Sequence, residues 1–331
     1  MLAPARGSVT FRELVEPKRP YSLALTAERY TRFPEAVDRF DGRVYRRLLP
    51  IGRGGVLLSV EQEGPPSRAR LRMSLEGREA DSPAARDAAA RVVTVALGAG
   101  ADVAAFYRAA RSDPVLESPI RAFRGLRVAG APSLWEALLT AVLSQQVNLR
   151  FAYDIRREIA LELGLRRAFG GDTYVAFPSP ERIARETAST LRRFRLSGSK
   201  ARAIAGLAHA FAGGALSEPE ISGLPDEEAI ERLTRLRGVG RWTAEIALLR
   251  GLGRADVFPA GDLGVVKHLA RGLLGRAANA SETEMRSFAE RWKPYRSFAL
   301  VYCYAELIRR RSSAPPARPA PRSPRARGSA P

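Results

Sequence analysis

Cysteine is nearly absent from this 331-residue chain, in which Cys303 stands alone. One thiol excludes an internal disulfide framework, a cysteine-ligated zinc site and a four-cysteine iron–sulfur cluster. Histidine is as scarce, with only His209 and His268, too few ligands for a transition-metal centre. Lysine is confined to Lys18, Lys200, Lys267 and Lys293. Long apolar runs are missing as well, and no stretch approaches the roughly 18 residues a membrane helix needs. The opening "MLAPARGSVTFRELVEP" has no apolar segment behind its charges, which reads as an intracellular, cytoplasmic protein.

Arginine is what the chain has in excess. A net charge of +19 and a pI near 11.1 point to a polyanionic partner, because basic side chains that neutralise phosphates release condensed counterions. A genomic bias towards Arg, Ala, Gly and Pro would give the same composition, so charge alone does not decide. The 45% hydrophobic content is enough for the cores of two or three small domains.

The fold class read from the pattern is α+β. Residues 1–20 are expected to be disordered. Four β-like runs follow, "YSLALTAERY", "RVYRRLLPI", "GVLLSVEQ" and "ARLRMSLE", separated by "GRGG" and "EGPPS". With the helix "SPAARDAAARVVTVALG", N-capped by Ser82, they predict an N-terminal domain over 21–110 built on a small antiparallel sheet. From about residue 101 the pattern is helical. Phe151, Ile155, Ile159 and Leu163 recur every four positions, and Ser133 and Glu136 have capping-box spacing. Further helices are expected at 198–213, 226–235, 241–252, 262–274, 282–291 and 295–311, so that 111–311 forms a multi-helix bundle with short connectors. The tail, 312–331, is Pro- and Arg-rich without an acidic residue and is expected to be disordered. It either adds non-specific affinity for nucleic acid or is a low-complexity extension without a role.

"LRGVGRWTAE" breaks two good helices at Gly238 and Gly240. Glycine permits positive φ and close approach, Val239 plugs the turn, and the helix that follows offers unpaired N–H groups to an anion. A plain helix connector would look the same. Downstream, "VFPAGDLGV" brings Asp262 to the start of another helix, where a simple N-cap is the competing role.

Together, "LRGVGRWTAEIALLRGLGRADVFPAGDLGV" resembles the helix–hairpin–helix plus Pro-and-Asp signature of the base-excision DNA glycosylase superfamily, with the hairpin at about 226–252 and the aspartate segment at 256–267. "GVGRWTAE", "AVLSQQV" and "FAERWKPYRSFALVYCYAEL" are similar to the 3-methyladenine DNA glycosylase II branch. The resemblance spans about 20–311 and implies an N-terminal α+β domain followed by a two-domain helical core with the active-site cleft between its domains. It implies a monofunctional enzyme that extrudes and hydrolytically removes alkylated bases, Asp262 being the catalytic carboxylate. It implies aromatic base-pocket positions at Trp242 and Tyr304, with Ile246 and Leu263 where the branch carries tyrosines. Gln146, beside Gln145, falls on the wedge that fills the gap left by the extruded nucleotide. Gly238, Val239, Gly240, Arg241 and Thr243 fall on the DNA-binding hairpin. The carbonyls of Thr234, Leu236 and Val239 fall on a site for Na+ or K+, and no cofactor is otherwise required. The implied partner is double-stranded DNA containing alkylated bases, met by a monomer with no membrane association. Tyr30 and Phe33 are candidates for an N-terminal pocket aromatic, or core residues.

Two alternatives remain at this stage. A bifunctional glycosylase/lyase for oxidised bases would need a Schiff-base lysine, for which Lys267 is the nearest in sequence. A damage-binding module without catalysis would explain the hairpin and the charge but not the aspartate with its aromatic companions. Trp135, Trp292, Tyr295 and Cys303 read as packing residues, and Arg296 as packing or as the partner of an acid or phosphate.

Overall fold

The computed structural model describes residues 9–275 and 279–313. The tail beyond Ser313, expected to be disordered, lies outside them. The N-terminal sheet has five antiparallel strands, β1 (Val9–Val15), β2 (Asp38–Phe40), β3 (Val44–Leu49), β4 (Val56–Glu63) and β5 (Arg70–Gly77), in the order β1-β5-β4-β3-β2. In β5 the alternation places Leu71, Met73 and Leu75 in the core while Arg70 and Arg72 face solvent. Helix α1 (Leu23–Ala27) and helix α2 (Pro83–Arg91) accompany the sheet, and α2 runs on through a wide π-helical turn over Val92–Ala96. Ser82 caps α2 as expected, accepting from the Ala85 amide at 3.2 Å.

Three expectations for this region are corrected. Residues 9–20 are structured, not disordered: β1 pairs with β5 from Val9↔Gly77 to Val15↔Leu71. The Arg127 guanidinium gathers the chain that follows by donating to the carbonyls of Pro20, at 2.8 Å, and Lys18. "YSLALTAERY" is α1, because Leu23, Thr26 and Ala27 are its buried residues, a helical i, i+3, i+4 set. The N-terminal unit also ends before 110. Its core stops at Ala99, whereas Val103, Phe106, Ala110, Leu116 and Val128 pack with the C-terminal helices. The helices α3 (Val103–Ala109) and α4 (Glu117–Ala122) therefore belong to the domain completed at the other end of the chain.

The middle domain opens with α5 (Leu134–Ser144) and α6 (Leu149–Leu163). A hairpin of β6 (Arg166–Phe169) and β7 (Asp172–Val175) follows, where the sequence pattern gave only helices. Its turn needs positive φ at Gly170 and Gly171. Tyr174 and Ala176 pack on Leu48 and Leu57, which ties this domain to the back of the N-terminal sheet. Short α7 (Pro180–Ala184) and α8 (Ala188–Leu191), the longer α9 (Gly198–Ala212), and α10 (Glu218–Ser222) lead to α11 (Asp226–Thr234) and α12 (Arg241–Gly251). A Cβ at Gly251 would lie 2.8 Å from that of Ala137, so glycine there lets α12 pack directly on α5. The chain closes through α13 (Ala270–Leu274), α14 (Glu282–Ala289) and α15 (Arg296–Ser313). No described helix is long and apolar enough to cross a membrane.

Half of the Ser133–Glu136 capping box forms. The Ser133 hydroxyl accepts from the Glu136 amide at 3.2 Å, but the Glu136 carboxylate turns to Arg47 and Arg156. It thereby enters a buried network between domains. Arg47 donates to Asp38 at 2.7 Å, Arg156 to Glu136 at 2.5 Å and also to Glu35, and Tyr45 donates to Asp38.

Candidate active site and hairpin

The turn between α11 and α12 is built as its sequence suggested, with one difference between its glycines. Gly238 has φ +82°, and a Cβ there would collide with that of Ala203, so both conformation and space require glycine. Gly240 has φ −90° and nothing within 4 Å of a Cβ position. It serves as an N-cap without a side chain, leaving the first amides of α12 uncovered. Val239 is buried beneath the turn. The Leu236 carbonyl accepts the Val239 amide at 3.1 Å, so one of the three carbonyls expected at a cation site also closes the turn.

Gln145 and Thr243 brace this turn. The Gln145 side-chain amide donates to the Gly238 carbonyl at 2.8 Å and to the Thr243 hydroxyl at 2.9 Å, and Thr243 is only 2% exposed. Gln146, next along, is exposed and has φ +53°, a strained value for a non-glycine residue. Leu149, one turn further and not singled out by the sequence, is 50% exposed. Arg241 is engaged by Glu227 at 2.7 Å and Glu245 at 3.1 Å. Arg235 and Arg237, which sequence reasoning missed, are exposed and form no ion pair among the described residues. The free positive charge of the hairpin is therefore theirs.

Beyond α12 the chain turns at Pro259, whose carbonyl accepts the Asp262 amide at 3.0 Å. Asp262 does cap the next helix, its Oδ1 accepting the Gly264 amide at 2.8 Å. The carboxylate does more than cap. Tyr304, from α15, donates to Oδ1 at 2.7 Å, and the Trp242 indole, from α12, donates to Oδ2 at 3.0 Å. Three elements thus converge on one half-buried carboxylate. Burial, with the Asp262 charge beside it, pushes the Tyr304 phenol well above its ordinary range and keeps it a donor. Gly264 was not recognised from sequence. A Cβ there would collide with the Tyr304 hydroxyl and lie 2.9 Å from Asp262 Oδ1, so this glycine admits the tyrosine. The helix begins with another π-helical turn, Val265–Leu269.

The remaining candidates separate. Ile246 is half-buried on the Trp242 face of α12, while Leu263 is 62% exposed. Lys267 is exposed and has no hydrogen bond to Asp262. The Tyr30 hydroxyl donates to the Gly130 carbonyl at 2.7 Å, its ring packing against Tyr45 in the N-terminal core. Phe33 stacks on Tyr153 with ring centroids 4.8 Å apart. Trp135 and Cys303 are buried, burial pushing the thiol up to about 12. Trp292 packs in the core and donates to Asp113, and Arg296 makes a bidentate pair with Asp256.

Comparison with known proteins places this geometry. The profile of the HhH-GPD superfamily base excision DNA repair proteins matches residues 139–294, which include the hairpin and Asp262. A DNA-3-methyladenine glycosylase of Bacillus subtilis is 35% identical over 206 residues, 62% of this chain and 68% of that protein. The chain belongs to the HhH-GPD superfamily. DNA-3-methyladenine glycosylase 2 of Escherichia coli is 32% identical over 54% of this chain and 60% of its own length. Among solved structures, the 3-methyladenine DNA glycosylase of Archaeoglobus fulgidus superposes with a TM-score of 0.74 at 26% identity, covering 90% of this chain and 98% of that one. The matched stretch thus holds Asp262, Trp242 and Gly264, and Tyr304 reaches in from beyond its end.

Proposed function

We propose that this chain is a monofunctional DNA glycosylase of base excision repair that hydrolyses the glycosidic bond of alkylated bases, of the 3-methyladenine and 7-methylguanine type, in duplex DNA. One observation carries the reading: a carboxylate fixed by three donors beside a helix terminus open to phosphate. The DNA backbone docks on the uncovered amides of α12, with Arg235 and Arg237 adding charge on either side of Leu236. Gln146 wedges into the duplex from its exposed turn as the target nucleotide rotates out, at a cost of a few kcal/mol in unstacking. Trp242, Tyr304 and Ile246 line the space that receives the base.

Alkylation at a ring nitrogen leaves a cationic base that departs without help from an acid. What the reaction needs is negative charge beside the oxocarbenium-like sugar, and Asp262 supplies it at a fixed position, because Trp242 and Tyr304 hold both carboxylate oxygens. Water completes the hydrolysis and leaves an abasic site. A monovalent ion at the carbonyls of Thr234, Leu236 and Val239 would stiffen the hairpin, since neutral carbonyl oxygens suit such an ion. The protein acts as a monomer in the cytoplasm, on nucleoid DNA.

The test is single-turnover release of 3-methyladenine and 7-methylguanine from methylated duplex DNA, with strand cleavage read before and after alkali. Wild type should release base with nicks only after alkali. Asp262→Asn should bind DNA and lose on the order of 100-fold or more in excision. Nicking without alkali would move the assignment to a lyase, and near-normal turnover by Asp262→Asn would refute the role of the carboxylate.

A further inference from the structure

Trp242 and Ile246 lie on one face of α12, and two turns after Trp242 that face carries Arg250. Its one hydrogen-bond acceptor among the described residues is the Ala129 carbonyl, at 2.6 Å. No carboxylate pairs with it. The charged and titratable groups that act on it are Arg29 and the phenols of Tyr153, Tyr30 and Tyr304, the last of which holds Asp262. Burial and the Arg29 charge both work against its charged form. Arg29 itself donates to Tyr153 at 3.0 Å, and its Nε is buried without a partner.

The buried arginines of this chain have more partners. Arg47 and Arg156 are ringed by carboxylates, and Arg127, which lacks one and keeps an unpartnered Nε, donates to four backbone carbonyls. Arg250 is half-buried with one protein acceptor for its five donors, and the buried Nε of Arg29 beside it has none, a cost that packing does not explain. An acceptor arriving with the substrate would explain it.

We propose that Arg250, supported by Arg29, is a specificity-determining residue that reads an exocyclic oxygen on the extruded base. The inference rests on the glycosylase reading and adds a ranking to it. A base with a carbonyl at the six position, such as 7-methylguanine, offers Arg250 an acceptor. A base with an amino group there, such as 3-methyladenine, presents donors to donors and leaves the guanidinium unsatisfied. Both bases are cationic, so the pair isolates the hydrogen bond from the charge.

The experiment measures single-turnover release of both bases from one methylated duplex and follows the ratio of their rates across variants. Arg250→Met should lower the 7-methylguanine to 3-methyladenine ratio by about 10- to 100-fold relative to wild type, the factor expected for one charge-assisted hydrogen bond. Arg250→Lys, which retains a cationic donor, should recover part of it, and Arg29→Met should shift it in the same direction by less. Equal losses for both bases, or an unchanged ratio, would overturn the inference while leaving the glycosylase reading intact, because a purely structural role cannot separate two substrates of one enzyme. Release of neither base by wild type would take both readings down together.

Discussion

Arg156 is buried and Arg250 half-buried, and the protein treats their guanidinium groups in opposite ways. Burial works against the charge of Arg156, yet Glu35, Glu136 and Asp38 outweigh it and raise its pKa. Arg47, on β3, is raised for the same reason by Asp38 and Glu136. These groups come from the N-terminal sheet region, α5 and α6, so their mutual compensation fixes one domain against the next. Around Arg250 no carboxylate compensates: it has the Ala129 carbonyl, another arginine and three phenols. A group that holds domains together needs its partners within the chain, whereas a group that recognises a ligand keeps part of its bonding capacity unused until the ligand arrives. The contrast separates scaffold from site without reference to position in the sequence.

The largest expected effect tests that contrast directly. Arg156→Met leaves the buried Glu35 side chain without its countercharge and Glu136 and Asp38 with Arg47 alone, and should cost about 3–5 kcal/mol of stability. Arg250→Met removes a charge that no carboxylate balances and should change stability by no more than about 1 kcal/mol, the lost bond to Ala129 being offset by relief of an uncompensated guanidinium. Urea denaturation of the two variants decides the matter, and equal losses would erase the distinction between the regions. Next in size is Tyr304→Phe, which frees one Asp262 oxygen from its hydroxyl donor. A hydrogen bond to a charged group is worth about 1.5–3 kcal/mol, so the chemical step should slow by roughly 10- to 100-fold. Single-turnover excision at saturating enzyme reads this step, and DNA affinity should stay near wild type.

Much of the scaffold was legible because periodicity reports burial. Strands β3, β4 and β5, the stripe of α6 and the helices from α9 onward follow their apolar patterns closely. Three places misled. Tyr21, Leu23 and Leu25 alternate like a strand, but Ser22 caps a helix there by accepting the Leu25 amide. The β6–β7 hairpin hides in a helical context, announced only by Gly170 and Gly171. The boundary near 110 failed because Val103 and Phe106 pack against residues nearly two hundred positions away, which no local pattern encodes.

The candidate site was legible where residue type is tied to one chemistry, as with Asp262, Trp242 and the hairpin glycines. It was illegible where the role depends on what a side chain lacks. Arg250 differs from the paired arginines of the core only in having no carboxylate beside it, and Gly264 differs from Gly240 only in what a methyl group would strike. Trp242 and Tyr304 were read as ring faces for a base, and the structure gives their polar edges to Asp262.

The smallest effect extends the comparison to the surface, where compensated charge should matter least. Glu186 accepts from Arg193 at 2.9 Å and from Arg182 at 3.0 Å, and these bonds, Arg193 first, hold its carboxyl down at about 2. Its folded pKa lies below the unfolded value, so the stabilisation is complete above about pH 4.5 and is lost as pH falls towards 2. Water screens both arginines, which limits the contribution to about 0.2–1 kcal/mol. Thermal unfolding of Glu186→Gln should therefore show a small deficit against wild type at pH 7 that narrows progressively below pH 4.5. A deficit as large as that of Arg156→Met, or one that does not narrow with acid, would mean that compensation rather than burial sets the energy of these pairs.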